Sequence, residues 1–192
     1  MKIDRRAFTG SLVLTLFSGR ELLSSIDLPT CPQDFEWKWA ESIRAYVPCK
    51  RGWFFYDETD GTNHSVSCVK ASRETKPLQE IGFHISSVRL SESFAENPQL
   101  SCYLLVHTCL SDIEPIDTFR SESEQFFRCG FEKIDPPKGD GQTPNRIRLL
   151  GIINKETMQM YLVQFETPVG NWGDEWPTGE KIFQMLELNE KL

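Results

Sequence analysis

Few side chains in this 192-residue chain are of a type and spacing that could do chemistry. There are three histidines: His64, His84 and His107. His107 lies near Cys102 and Cys109, a grouping that invites a metal or thiol reading. A helix turns 100° per residue, so five residues carry His107 about 500° from Cys102, onto a different face. A metal would need a third ligand converging from elsewhere, and a Cys–His nucleophile would need the two side chains in contact. These residues therefore read as buried helix positions. His64 adjoins a turn and His84 lies in a strand-like run, with no Gly-x-Ser-x-Gly, His-Glu-x-x-His or phosphate loop beside them. Asp57 to Asn63 carries calcium-type oxygen ligands but lacks the regular acidic series, and its Asp60-Gly61 is a hairpin turn signal.

The binding candidate is Asn171-Trp172-Gly173-Asp174-Glu175-Trp176. Trp172, Asp174, Glu175 and Trp176 pair aromatic faces with carboxylates, a combination that holds a cation, a sugar or a peptide. The same stripe continues through Gly179, Phe183 and Leu186, which also suits packing of a helix on a core, with Asp174 as its cap. No catalytic residue, metal ligand or cofactor motif is assigned.

Six cysteines fit an oxidising compartment, and the absence of Cys-x-x-Cys argues against a zinc ribbon or thioredoxin-type site. Cys31 and Cys49, in Pro-flanked segments, are the first candidates for a disulfide, although spacing does not determine connectivity. Cys68 and Cys129 sit in apolar alternation and read as small buried hydrophobes.

The elements that must position these residues follow from periodicity. Phe35 to Trp39 alternates as a strand, and Ile43 to Val47 is a second, stopped by Pro48. An aromatic strand over Trp53 to Tyr56 turns at Asp60-Gly61 and returns over Ser65 to Ala71. Gly82 to Leu90 is another strand. Asn97-Pro98 is a cap and first turn, opening a helix that is apolar around much of its girth and ends near Pro115. Gln125 to Ile134, Asn145 to Asn154 and Met158 to Phe165 are strands, the last two joined at Lys155 to Thr157. A final helix runs from about Asp174, with Pro177 in its first turn. Strands joined by hairpins, interrupted and closed by helices, predict an α+β fold with a central antiparallel sheet flanked by helices.

Three segments resemble the PsbP-like and Ran-binding Mog-type superfamily: Val47-Pro48-Cys49-Lys50-Arg51-Gly52-Trp53, the strand Gly82 to Leu90, and Gln164-Phe165-Glu166-Thr167-Pro168 before the Trp-rich helix. The resemblance implies an α/β/α sandwich around an antiparallel sheet. It also implies an accessory or binding role, and it transfers no functional residue.

Location is written at the N-terminus. Arg5, Arg6 and Phe8 match the twin-arginine export pattern, followed by an apolar run from Ala7 to Phe17. That run is shorter than the roughly 20 residues needed to span a bilayer. Residues 1–25 are expected to be an export signal, with cleavage near Ser24-Ser25, and residues 26–192 one α+β domain. Net charge is −7, which argues against nucleic acid as the partner and offers no polybasic patch to lipid. The expectation is a periplasmic or secreted, non-enzymatic accessory domain that binds a protein or small ligand. It would be tethered to the membrane only if the signal stays uncleaved. The alternatives are a hydrolase or metal-dependent enzyme using dispersed loop residues such as His64, His84 or His107, and a thiol redox protein using Cys102 or Cys109.

Overall fold

The computed structural model describes residues 28–61, 63–71, 81–90, 96–137 and 139–186. The expected export signal, residues 1–25, lies outside the described residues. Two hairpin strands open the fold, β1 (Phe35–Ala40) and β2 (Ala45–Lys50), paired antiparallel as a separate ribbon. Then come β3 (Phe54–Asp60), β4 (Asn63–Val69), β5 (Gly82–Arg89), α1 (Pro98–Thr108), β6 (Asp117–Glu122), β7 (Phe126–Asp135), β8 (Asn145–Asn154) and β9 (Gln159–Pro168). A 3₁₀ turn (Val169–Asn171) leads into α2 (Trp172–Met185).

Strands β3 to β9 form one seven-stranded sheet in the order β3-β4-β5-β9-β8-β7-β6, antiparallel throughout. Two meanders, β3-β4-β5 and β6-β7-β8-β9, meet where β5 pairs with β9. The expected α+β architecture is the one present. Alternation along each strand divides the side chains between two faces. On one face Val66, Phe83, Ile85, Tyr161, Val163 and Phe165 pack beneath the β1–β2 ribbon and α2. On the other, Phe127, Cys129, Phe131, Leu149, Ile153 and Met160 pack beneath Cys102 and Val106 of α1. Each face is thus dry only where a second layer covers it.

Several boundaries differ from the sequence reading, each for a local reason. Pro48 lies inside β2, opposite Trp37, because a two-stranded ribbon leaves one edge of each strand without a ladder partner. Helix α1 starts as predicted, with the Asn97 side chain accepting from the Leu100 amide at 3.0 Å. It ends at Thr108 rather than near Pro115. Ser111 and Asp112 adopt left-handed φ angles of 52° and 62°, and the chain reverses there. The helix is also less enclosed than its composition implies: Leu100, Tyr103 and Leu104 are half exposed, because only one side of it meets the sheet. Strand β6 escaped the sequence reading. Its Asp-Thr-Phe-Arg-Ser-Glu run lies at the sheet edge and is almost wholly solvated, so it carries no apolar alternation. Helix α2 begins at Trp172, two residues before Asp174, and its N-cap is Asn171, without a side-chain cap bond.

Both helices seat through a glycine. A Cβ on Gly151 of β8 would lie 2.4 Å from Val106 Cγ2 and 3.1 Å from Cys102 Sγ. A Cβ on Gly179 of α2 would lie 2.7 Å from the Phe165 ring. Gly151→Ala should therefore push α1 off the sheet and destabilise the protein by about 1–3 kcal/mol, as overpacked cores do. Gly139→Ala, where a Cβ meets nothing within 4 Å, should be near neutral. Urea unfolding of both variants checks the pair.

Candidate functional site

The first aromatic–acidic candidate is brought together by α2. Trp172 and Trp176, four apart on the helix, stack with ring centroids 5.0 Å apart and planes within 3°. Their outer faces are covered by the chain's own cations: Arg146 lies 4.5 Å from the Trp172 ring and Arg148 5.2 Å from the Trp176 ring. Both arginines project from β8 and share the buried carboxylate of Glu132 on β7. Arg146 Nε donates to Oε1 at 2.7 Å, and Arg148 Nη1 to Oε2 at 3.2 Å. Glu175 is buried and ion-paired with Lys70, whereas Asp174 is exposed. The cations that the tryptophans were expected to attract are thus supplied from within. The ladder joins α2 to β7 and β8, and cation–π stacking in partial shelter is worth about 1–2 kcal/mol per contact.

A second polar cluster lies on the α1 face of the sheet, on adjacent strands. Ser67 Oγ is 3.0 Å from His84 Nδ1, and His84 Nε2 is 3.5 Å from Glu166 Oε1. Gln164 Nε2 donates to the other Glu166 oxygen at 3.1 Å. Serine, histidine and glutamate in series resemble a hydrolytic triad, but the wiring is reversed. In such triads Nε2 faces the hydroxyl and Nδ1 the carboxylate. Ser67 is also buried and sits mid-strand. The cluster acts as a cross-strand hydrogen-bond network. His107 is exposed while Cys102 is buried, so the helical pair points apart as the geometry of a helix requires. Among the described residues no group of three or more His, Cys, Asp and Glu side chains is placed to hold a metal ion.

All six cysteines are thiols, Cys31 and Cys49 included. Cys49 Sγ donates to the Lys50 carbonyl at 3.7 Å. Cys102 Sγ lies 3.6 Å from Cys129 Sγ between α1 and β7. That sulfur–sulfur hydrogen bond and burial push the Cys102 thiol above its ordinary range, which disfavours the nucleophilic thiolate. Cys68 and Cys129 are the buried small residues the alternation predicted.

A cleft of about 1020 Å³ opens on the ribbon face, at the end of β3, β4, β5 and β9. Its floor is a row in register: Thr59 pairs with His64 and His64 with Ser87, while Tyr161, the next in the row, is buried in the core. Thr59 Oγ1 and His64 Nδ1 are 3.3 Å apart. Two residue pairs further along, and so on the same face, Arg89 stands opposite Gln159. The first wall is the β1–β2 turn, residues 41–44. Asp57 holds it by accepting from the backbone amides of Glu41 at 2.8 Å and Ser42 at 3.3 Å, while Ile43 is buried beneath it. Arg44 closes that turn with a left-handed φ of 48°. The opposite wall is the β8–β9 turn. Asn154 Oδ1 accepts from the Glu156 and Thr157 amides at 2.9 and 3.3 Å, and Met158 takes a φ of 58°. Non-glycine residues in this region are uncommon and persist where the surroundings over-determine them, often at ligand clamps. His64 was legible as a candidate in the sequence. Arg44, Arg89 and Gln159 were not, because their only shared property is register across strands distant in the chain.

The sheet order, the helix on one face and the ribbon with helix on the other define a PsbP/Mog1-like α+β fold. The structure is similar to cyanobacterial PsbP (CyanoP) from Synechocystis sp. PCC 6803, with a TM-score of 0.50 and 8 % identity over 84 % of this chain and 99 % of that one. It is also similar to the Ran-binding protein Mog1p of Saccharomyces cerevisiae, with a TM-score of 0.51 and 8 % identity over 80 % of this chain and 95 % of that one. No family model and no curated protein matches the chain. At such identity the likeness is one of fold.

Two outcomes follow from the buried groups. Glu132→Ala leaves two guanidiniums without their carboxylate. Because Arg146 and Arg148 keep 31 % and 26 % of their side chains exposed, the cost should be about 2–3 kcal/mol, under the 3–5 typical of a wholly buried pair. Chemical denaturation, with near-UV dichroism for the stacked tryptophans, reads it. Burial pushes the Tyr161 phenol up to about 12, and its hydroxyl has no hydrogen-bond partner among the described residues. The folded state therefore holds this proton more tightly than the unfolded chain, whose phenol titrates near 10. The contribution is complete below about pH 10 and is lost as pH rises through about 12. Tyr161→Phe should match or exceed wild-type stability at pH 8, and its advantage should widen at pH 11. Urea midpoints at the two pH values check the sign.

Proposed function

We propose that this chain is an exported accessory domain of the bacterial cell envelope that works by binding a partner through the cleft beneath the β1–β2 turn. One observation carries the reading: two turns, each locked by side-chain-to-backbone hydrogen bonds and each closed by a left-handed non-glycine residue, hold a polar cavity open over the sheet. Such a preformed concave site lined by convergent polar groups is the general form of a ligand pocket. The fold likeness to PsbP (CyanoP) and to a Ran-binding protein supports a binding or accessory role. The Arg5-Arg6-x-Phe8 pattern supports export, with the domain from residue 26 acting outside the cytoplasm, either free after cleavage or tethered through residues 7–17. Trp172, Asp174, Glu175 and Trp176 support a second contact surface less well, since Arg146, Arg148 and Lys70 already engage three of them.

The test is crosslinking in living cells followed by recovery of the tagged full chain from envelope fractions, beside an Arg5→Lys/Arg6→Lys variant. The expected result is a defined crosslinked partner in the periplasmic or membrane fraction, absent when the paired arginines are replaced. A wild-type chain that stays in the cytoplasm sinks the envelope reading. Export without any specific crosslink sinks the binding one.

A further inference from the structure

The charges lining the cleft are not equivalent. Asp57 spends its carboxylate on the Glu41 and Ser42 amides, and Glu41 accepts from the Trp39 indole at 2.7 Å. Both acids are thereby committed to holding the turn. The guanidiniums of Arg44 and Arg89 have neither an ion pair nor a hydrogen bond among the described residues, although both line the cavity. His64 uses only Nδ1, on Thr59, and its Nε2 has no partner among the described residues. Among the described residues, Glu156 at the rim is the one carboxylate of the lining without a committed donor. The cavity therefore presents two free guanidiniums and an imidazole edge against a single free carboxylate, in a protein whose net charge is −7. Glu41 and Asp57 keep their charge, but their oxygens are occupied by the indole and the turn amides, so the donors left facing the cavity are the two guanidiniums and the imidazole edge.

We propose that the cleft binds the carboxylate or phosphate group of a small organic anion, clamped between Arg44 on the β1–β2 turn and Arg89 on β5, with His64 beside them. The proposal rests on the reading of the cleft as the binding site. Guanidinium suits such a clamp because its planar fork matches carboxylate and phosphate, and its charge-assisted bonds are about twice as strong as neutral ones. The two arginines come from independently fixed elements. Arg89 lies on a strand paired on both sides, and Arg44 on a turn held by Asp57 and by buried Ile43. The backbone beneath each guanidinium is thus fixed before binding, and only the two exposed side chains remain to be ordered. A cavity of about 1020 Å³ leaves room for the body of a metabolite-sized molecule above the anion.

The proposal is tested by isothermal titration of the purified full chain with citrate and with inorganic phosphate, against lysine and glucose as controls. At least one anion should bind at a ratio of one to one, and comparing the two separates carboxylate from phosphate recognition. Arg44→Gln and Arg89→Gln should each weaken binding about tenfold or more, the loss of one charge-assisted contact. Arg44→Gly removes the guanidinium while suiting the left-handed backbone, so its loss of binding cannot be laid to misfolding. Glu156→Gln should tighten binding two- to threefold, roughly the loss of one exposed like-charge contact. The proposal is overturned if neither anion binds, if lysine binds instead, or if affinity survives both arginine replacements. Envelope partners recovered by crosslinking while citrate and phosphate both fail would overturn the anion site alone and leave the binding reading standing.

Discussion

The backbone hydrogen bonds between β5 and β9 are where the two halves of the chain meet, and most of the molecule hangs on that seam. Arg89 stands opposite Gln159 and Gly82 opposite Glu166, so residues far apart in sequence share one ladder. Closing so long a loop is entropically costly and is repaid only by contacts formed on both faces at once. Phe83 and Ile85 are placed beside Phe165 and Val163, making the apolar floor on which α2 and the ribbon rest. The same seam lays Ser87 beside Tyr161 and carries Arg89 to the cleft. Core and cleft are two ends of one set of strands, dry where α2 covers them and polar where only the β1–β2 turn reaches across.

Arginine serves two purposes on this ribbon face. Arg146 and Arg148 are consumed by structure: each is bonded to buried Glu132, and between them they stack on Trp172, Trp176 and Phe119. Arg44 and Arg89 have no carboxylate or ring partner among the described residues and line the cavity. Residue type does not separate the two uses. What separates them is whether a carboxylate or ring from another element lies within reach, and that depends on strand order and register.

Much of the secondary structure was legible because its signals are local. Asp60-Gly61 marks a hairpin, Asn97-Pro98 caps a helix, and alternation in Gly82 to Leu90 and Met158 to Phe165 marks strands that the sheet contains. The failures are physical too. Strand β6 is polar on both sides because it is an edge, and its pairing comes from β7 rather than from any apolar pattern of its own. The end of α1 depends on left-handed turns at Ser111 and Asp112, residue types that tolerate such angles without announcing them. Pro48 reads as a stop only if its strand has neighbours on both sides.

For the candidate sites the division is sharper. Trp172 and Trp176 were visible as a pair because helical spacing alone brings residues four apart onto one face. That their rings are already engaged by Arg146 and Arg148 depends on β8 running beneath α2, which no local pattern encodes. His64 and His84 stood out as residue types, yet neither neighbourhood was readable. The Thr59–His64–Ser87–Tyr161 row crosses strands brought together by the sheet, and Arg44 joins it from a separate ribbon. The sequence by itself determined most of the elements, the fold class and the expectation of export, because periodicity, turn chemistry and a short motif act over a few residues. Tertiary structure alone decided which charges are neutralised and which stay free, because neutralisation requires a partner within a few ångströms in space, wherever it falls along the chain.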